Sequence, residues 1–248
     1  MTAIGAVQWF KAEGLGSFAP YSSAPTKLSN NGNSYAYGAG VRVGYLGELS
    51  EYFSVGASYQ TKIWMGKFDD YAGLFAEQGG FDIPANWVVG IAVKPTENVD
   101  IAVDVQQVLY SGIASVAKPL LPNLVQAALG NDGGAGFGWE DMTTVKGGVQ
   151  VRTGGGWTWR GGYSYGSQPI PANEVLFNIL APGVIEQHLA VGFSKLVRET
   201  QEISLAITRA FSKRVTGANP LEAPQTQSIQ LEMDQWDFEL CWSFGTKK

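Results

Sequence analysis

The chain has 248 residues, a formal net charge of −5 and only 16% charged side chains, against about a quarter in an average soluble domain. That balance, with no cluster of Lys or Arg, argues against a nucleic-acid partner, and the single cysteine, Cys241, excludes an intrachain disulfide or a CxxC metal site. No apolar run reaches the roughly 18 residues of a transmembrane helix, and the start, "MTAIGAVQWFKAEG", lacks the basic and apolar regions of a secretory signal.

Taken in order, "AIGAVQWFKAEGL" is expected to form a helix. Residues 1–34 are expected to be an extracellular loop and helical segment ending after "LSNNGN". From residue 35 onward, apolar residues alternate with polar or small ones, the period of a strand with one wet face. Nine such segments follow, at 35–46, 52–65, 86–94, 98–110, 144–153, 156–166, 187–198, 200–211 and 228–244. In "NVDIAVDVQQVLYS", Val99, Ile101, Val103 and Val105 share one face, and Asp100, Ala102, Asp104 and Gln106 the other. In 144–152, Val145, Gly147, Val149 and Val151 oppose Thr144, Lys146, Gly148, Gln150 and Arg152. In 156–166, Trp157, Trp159, Gly161, Tyr163 and Tyr165 oppose Thr158, Arg160, Gly162 and Ser164. In 202–211, Ile203, Leu205, Ile207 and Phe211 oppose Glu202, Ser204, Ala206 and Thr208. The last segment changes phase: Ile229, Leu231 and Met233 share a face, then Trp236, Phe238, Leu240, Trp242 and Phe244 resume one residue out of step. A β-bulge is expected near Asp234–Gln235.

The connections alternate in length. "LGELSE", "KPTEN", "TGGG" and "RET" are short; 66–85, 111–143, 167–186 and 212–227 are long. A sandwich has no reason to keep its long loops at one end, whereas a transmembrane barrel does. The wet faces are rich in Gly, Ala and Ser, which suits a confined lumen. Tyr35, Tyr37, Tyr52, Phe53, Trp64, Trp87, Tyr110, Trp157, Tyr165, Phe211 and Phe244 lie at or near segment ends, where Trp and Tyr girdle a membrane. The apolar face is nearly free of charge; Lys195 and Arg209 lie late in their strands, within snorkelling reach of an interface. On the residues alone, a membrane barrel and a soluble β-sandwich binding protein both stay open.

Four segments carry a family resemblance: "YAGLFAEQGGFDIPANWVVGIA" (71–92), "DVQQVLYS" (104–111), "GFGWEDMTTVKGGVQ" (136–150) and "GGYSYGSQPIPANEVLFNILAPGVIEQHLAVGF" (161–193). With them the chain resembles the FadL-type outer-membrane transporters of long-chain fatty acids and other hydrophobic compounds, from about residue 9 to the final strand. The resemblance implies an all-β fold, an antiparallel transmembrane β-barrel with short helices in long extracellular loops. Members have fourteen strands and an N-terminal hatch. With about nine strands over 35–248, the chain is expected to be a partial barrel, the C-terminal part of such a protein and a truncated product. The implied localisation is the bacterial outer membrane. The implied partners are a hydrophobic small molecule and outer-membrane lipid, with the chain a monomer. A structural or adhesin-like barrel without transport is the other membrane reading.

The implied mechanism is passive: capture on apolar loops, passage into the lumen, and sideways exit through a gap in the wall. Candidates for capture are Leu74, Phe75 and Phe81, then Leu121, Leu124, Val125 and Leu129, then Leu176, Phe177, Ile179 and Leu180. Apolar residues on aqueous loops serve either a ligand or the packing of loop on loop. "PLLPNLVQAALG" is expected to be a short amphipathic helix ended by Gly130. Among lumen residues, Arg160 and Lys146 are candidates for a ligand carboxylate, as are Arg42, Lys62 and Arg152. Pairing with Asp100, Asp104, Glu202, Asp237 and Glu239 is the competing role for these cations. The stretch 130–142 has acids but no Lys or Arg, which suits a neutral hydrocarbon better than a carboxylate. No catalytic, metal or cofactor residue is expected. His188 is the only histidine and is expected at the rim, and neither GxSxG nor HExxH occurs.

Overall fold

The structure, a computed structural model, describes residues 1–224 and 226–245. Eleven strands form one antiparallel sheet. They are β1 Thr2–Phe10, β2 Ser34–Ser50, β3 Phe53–Gln60, β4 Trp64–Met65, β5 Ala85–Thr96, β6 Val99–Leu109, β7 Met142–Thr153, β8 Trp157–Gly166, β9 Gln187–Arg198, β10 Gln201–Ala218 and β11 Ser228–Phe244. Each long strand pairs with its neighbour in sequence, and the two-residue β4 continues the line of β3 along β2. The order runs from β1 at one end to β11 at the other, and the sheet is not closed. Short turns join β2 to β3, β5 to β6, β7 to β8 and β9 to β10; the connections from β1 to β2, β4 to β5, β6 to β7, β8 to β9 and β10 to β11 are longer and lie at the opposite end. This is the arrangement of a partial β-barrel.

Several expectations are corrected. The helix expected over the first residues is β1, paired with β2 from Thr2↔Arg42 to Phe10↔Ser34. The strand was hidden because both of its faces carry large apolar residues, Ile4 and Phe10 on one and Val7 and Trp9 on the other. Ala3, Val7 and Trp9 lie level with Val41, Tyr37 and Tyr35, while Phe10 on the other face packs into the loop core. The boundary at residue 34 therefore separates nothing, and the count of nine strands becomes ten long ones and β4. β10 also continues to Ala218 rather than ending at 211.

The expected irregularity lies at the expected height but on the other strand. Ala210 pairs with Gln235 and Lys213 with Met233, so Phe211 and Ser212 of β10 stand opposite the single residue Asp234. Because side chains alternate with a period of two, the extra residue swaps the faces of β10 above it. Below the bulge Ile203, Leu205 and Ile207 share a face with Trp242, Leu240 and Phe238. Above it Val215 turns to the other side, where Leu231, Ile229 and Met233 already are, against Ile170, Val175 and Val184 of the 167–186 loop. The phase change read in β11 is thus a change of environment, not an insertion.

The registers define the two faces. Trp87, Val89, Ile91 and Val93 of β5 lie level with Gln107, Val105, Val103 and Ile101 of β6, and these with Val145, Gly147 and Val149 of β7. The same row passes through Trp159, Gly161 and Tyr163 of β8 to Phe193, Val191 and Leu189 of β9. The large side chains of this face are open: Val89, Val103, Val149, Trp159, Val191, Leu205, Phe238 and Leu240 are all exposed. No second layer meets them among the described residues. The buried core consists instead almost wholly of loop residues, from Leu15 and Leu28 through Phe68, Tyr71, Phe75 and Leu120 to Phe137 and Phe177. A soluble sandwich buries the large residues of its strands. Here they face outward, and the small and polar ones line the inside.

Candidate ligand-binding site

The long-loop end is closed by an aromatic cap. Tyr71, fully buried, ties two loops together: its hydroxyl accepts from the Ala12 N–H at 3.1 Å and donates to the Gly32 carbonyl at 2.5 Å. Phe10 meets Tyr71 edge-on at 4.9 Å and Phe75 at 4.8 Å, and Phe137 stacks on Phe177 at 5.0 Å. The loop between β4 and β5 carries consecutive left-handed residues, Glu77, Gln78 and Gly79 (φ 59°, 56° and 98°). Such backbone is unfavourable for Glu and Gln, and hydrogen bonds hold it: Gln78 donates from its backbone to the Gly130 carbonyl at 2.7 Å and from its amide to Asp132 at 2.8 Å. Gly130 itself has φ 89°, and a Cβ there would overlap the Ala72 carbonyl. It closes no helix, since the helical turn Asn123–Gln126 ends earlier.

Two buried polar side chains pin the 167–186 loop. Asn178 donates to the carbonyls of Phe137 (2.6 Å) and Glu174 (2.8 Å) and accepts from the Trp139 indole at 2.5 Å. Glu174 accepts from the Leu120 N–H at 2.8 Å and from Asn173 at 3.0 Å. No cation pairs with it among the described residues, and burial pushes its carboxyl above the usual carboxylate range. Neither residue stood out in the sequence, because a lone acid or amide in an apolar loop has no periodic signature.

The capture candidates divide in two. Leu74, Phe75, Leu124, Leu129 and Phe177 are buried within the cap, with Phe81, Leu121 and Leu176 packed partly buried against it. Val125, Ile179 and Leu180 are open, 76%, 57% and 41% exposed. Packing accounts for the first group; the second leaves apolar surface on the outside of the cap.

Below the cap a hydrogen-bonded ribbon crosses the inner wall. Arg152 pairs with Asp100 at 2.5 Å, and Gln150 donates to the same carboxylate oxygen at 3.0 Å. Arg160 donates to Gln150 at 2.7 Å and to Ser194 at 2.5 Å. Ser194 meets Ser204 at 2.8 Å, and Ser204 donates to Glu202 at 3.2 Å. The ribbon thus runs from β6 to β10. It borders an open hollow of about 510 Å³ floored by Gly148, Gly162, Gly192 and Ala190, into which Asp100, Arg160 and Glu239 project. The other oxygen of Asp100 is buried and has no hydrogen-bond partner among the described residues.

Lys146 lies in a second hollow, of about 640 Å³, and donates to Gln106 at 2.6 Å although Asp104 is its cross-strand neighbour. The expected pairing of lumen charges therefore holds for Arg152 with Asp100. Lys62 pairs instead with Asp82 at 2.7 Å, and Arg42 with the amide of Gln60 at 2.5 Å. Among the described residues no ion pair joins Asp104, Asp237 or Glu239 to a cation. The sequence missed the neutral members, Gln150, Ser194 and Ser204, whose only signal was their place on the wet face. His188 lies level with Ser164 and Ala210 near the start of β9.

The seam between β3 and β5 is interrupted near the cap. β3 and β5 pair regularly up to Gln60↔Asn86, then only through the single bridge Ile63↔Ile83. Pro84 has no N–H for the ladder, and the Asp82 carboxylate instead accepts from the Met65 N–H at 2.7 Å.

No protein-family model and no curated protein sequence matches the chain. Solved structures do. The toluene transporter TodX of P. putida superposes with a TM-score of 0.63 at 18% identity, over 98% of this chain and 54% of its own. The toluene transporter TbuX of Ralstonia pickettii gives 0.52 at 15% identity, over 86% and 49%. A Pseudomonas aeruginosa FadL homologue gives 0.59 at 15% identity, over 98% and 61%. The chain thus shares the fold of these proteins and spans about half the length of the first two.

Proposed function

We propose that this chain is a FadL-type transporter that carries hydrophobic compounds, long-chain fatty acids or aromatic and alkane hydrocarbons, passively across the bacterial outer membrane. One observation carries the reading: strand after strand turns large apolar side chains outward and exposes them, while the inner wall is small, polar and hydrogen-bonded. Only acyl chains satisfy such an outer face, and only an aqueous or ligand-filled lumen satisfies the inner one. The transporters named above share the fold, which supports the same assignment. The chain acts as a monomer, its partners being membrane lipid and the hydrophobic solute, and it performs no chemistry on the solute.

In this reading Val125, Ile179 and Leu180 meet the solute first. Phe81, Leu121 and Leu176 lead inward, and Leu74, Phe75, Leu124, Leu129 and Phe177 form the cap that must loosen to admit it. Arg160 and Lys146 then meet any polar end within the two hollows. The seam between β3 and β5, with a proline in place of a ladder donor, is where the solute leaves sideways.

The test is uptake of toluene and of oleate into vesicles containing the chain. Replacing Val125, Ile179 and Leu180 together by Ser removes three apolar contacts and is expected to slow uptake about ten-fold while leaving the fold intact, since none of the three is buried. Unchanged uptake would remove the capture role. Vesicles no more permeable than empty ones would leave a barrel without transport.

A further inference from the structure

Lys195 of β9 and Arg209 of β10 both lie on the outward face, beside large apolar side chains. Each rests on an indole: Lys195 Nζ is 4.8 Å from the Trp157 ring centre, and the Arg209 guanidinium 5.1 Å from that of Trp236. Their electrostatics differ. Arg209 is neutralised by Asp234 at 2.8 Å. Lys195 donates to the Gly155 carbonyl and, among the described residues, has no carboxylate partner. Their heights differ too. Lys195 lies level with Ile203, six residues below Arg209 on β10, about 20 Å along the strand. Lys195 is therefore at the short-turn edge of the belt, beside the Gly154–Gly156 turn.

The surroundings of Lys195 have the shape of a lipid. Trp157 and Trp159 stack at 5.7 Å, and Phe193 lies 5.4 Å and 5.5 Å from the two rings. Neither of these indoles has a hydrogen-bond acceptor among the described residues, whereas Trp87 and Trp139 do. Directly beyond Trp159 on the same face is Gly161, flanked in register by Val149 and Val191. A Cβ there would meet nothing within 4 Å. An aromatic collar with free indole donors thus opens onto a groove one residue long at Gly161, between Val149 and Val191 and bounded beyond by Tyr163.

We propose that Lys195, Trp157, Trp159 and Phe193 bind the head of one phospholipid of the periplasmic leaflet. The ammonium takes the phosphate that Asp234 replaces for Arg209, the collar holds the glycerol, and one acyl chain lies in the groove at Gly161. The charge asymmetry between the two cations selects the occupant: an unpaired ammonium at the belt's edge is complemented by a lipid phosphate, and the groove admits a hydrocarbon chain. The site rests on the membrane reading above but is separate from the solute path, since it lies on the opposite face of the sheet.

The experiment reconstitutes the chain in phosphatidylcholine vesicles and extracts it in mild detergent. Native mass spectrometry then reads retention of added phosphatidylglycerol against diacylglycerol of the same chains, which lacks the phosphate. The unaltered chain is expected to prefer phosphatidylglycerol. Lys195→Gln is expected to reduce that preference about five-fold, the worth of one interfacial cation, and Lys195→Arg to keep it. Gly161→Leu fills the groove and is expected to lower retention of both lipids alike. A preference unchanged in Lys195→Gln, in a chain that has entered the vesicles, would overturn this site alone. A chain that stays out of the vesicles would overturn the membrane reading and the site with it.

Discussion

At the scale of single residues, Glu174 is the group whose charge state the cap must accommodate. It is buried between two loops, bonded to the Leu120 N–H and to Asn173, and has no countercharge among the described residues. Burial raises its carboxyl above the ordinary value, so the folded cap holds the proton more tightly than the free chain does. The contribution of Glu174 to the cap's stability is therefore greatest below the ordinary carboxylate range, is lost as pH rises from that range to the raised value, and changes no further above it. Limited proteolysis of the 167–186 loop should accordingly be slower in mild acid than at neutral pH. Glu174→Gln should flatten that dependence and protect the loop at neutral pH; an unaltered pH profile in the variant would assign the effect to another group. Nothing in the sequence marked this residue, since its role comes from where two distant loops meet. The wet-face cations were legible as a class, but their partners were not: Arg160 reaches Gln150 and Ser194 instead of an acid.

At the scale of elements, the hairpin of β10 and β11 shows what a strand pattern can and cannot reveal. The change of apolar phase near Asp234 was visible because Met233 and Trp236 cannot share a face in a regular strand. Which strand holds the extra residue was not visible, because register belongs to the pair. Phe211 and Ser212 supply the bulge, and it turns Lys213 and Val215 inward, toward Glu186 at 2.8 Å and toward Leu231, Val175 and Val184. Inserting one residue between Asp234 and Gln235 is expected to restore a regular ladder, swing Lys213, Val215 and Leu231 outward, and leave the 167–186 loop undocked. Protease should then cut that loop several-fold faster while the lower strands stay protected. Unchanged cleavage would mean that the loop is held by Asn178 and Glu174 alone. β1 was illegible for a related reason. A strand whose inner face serves the cap through Phe10 and whose outer face serves the belt through Val7 and Trp9 has large apolar residues on both sides, and the period of two is blurred.

At the scale of the whole molecule, the sheet is a wall between two solvents, and this was the most legible feature of the chain. Alternation gave the faces, the small residues gave the confined interior, and the unequal connections gave the two ends. The strand count fell short only where the cap intrudes on the alternation. The loop cap was readable as apolar but not as a packed core, because its contacts link residues more than a hundred positions apart, as when Ser23 donates to the Leu129 carbonyl at 2.8 Å. The central claim, acyl chains on one face and water on the other, is open to one direct measurement. Nitroxide labels placed singly at 203 through 208, with Cys241 replaced by Ser, are read by electron paramagnetic resonance in lipid vesicles. Collision with oxygen, which concentrates in hydrocarbon, should peak at 203, 205 and 207, and collision with a water-soluble nickel chelate at 204, 206 and 208. If 203, 205 and 207 were shielded from both reagents, the apolar face would be buried against protein and the account would be contradicted.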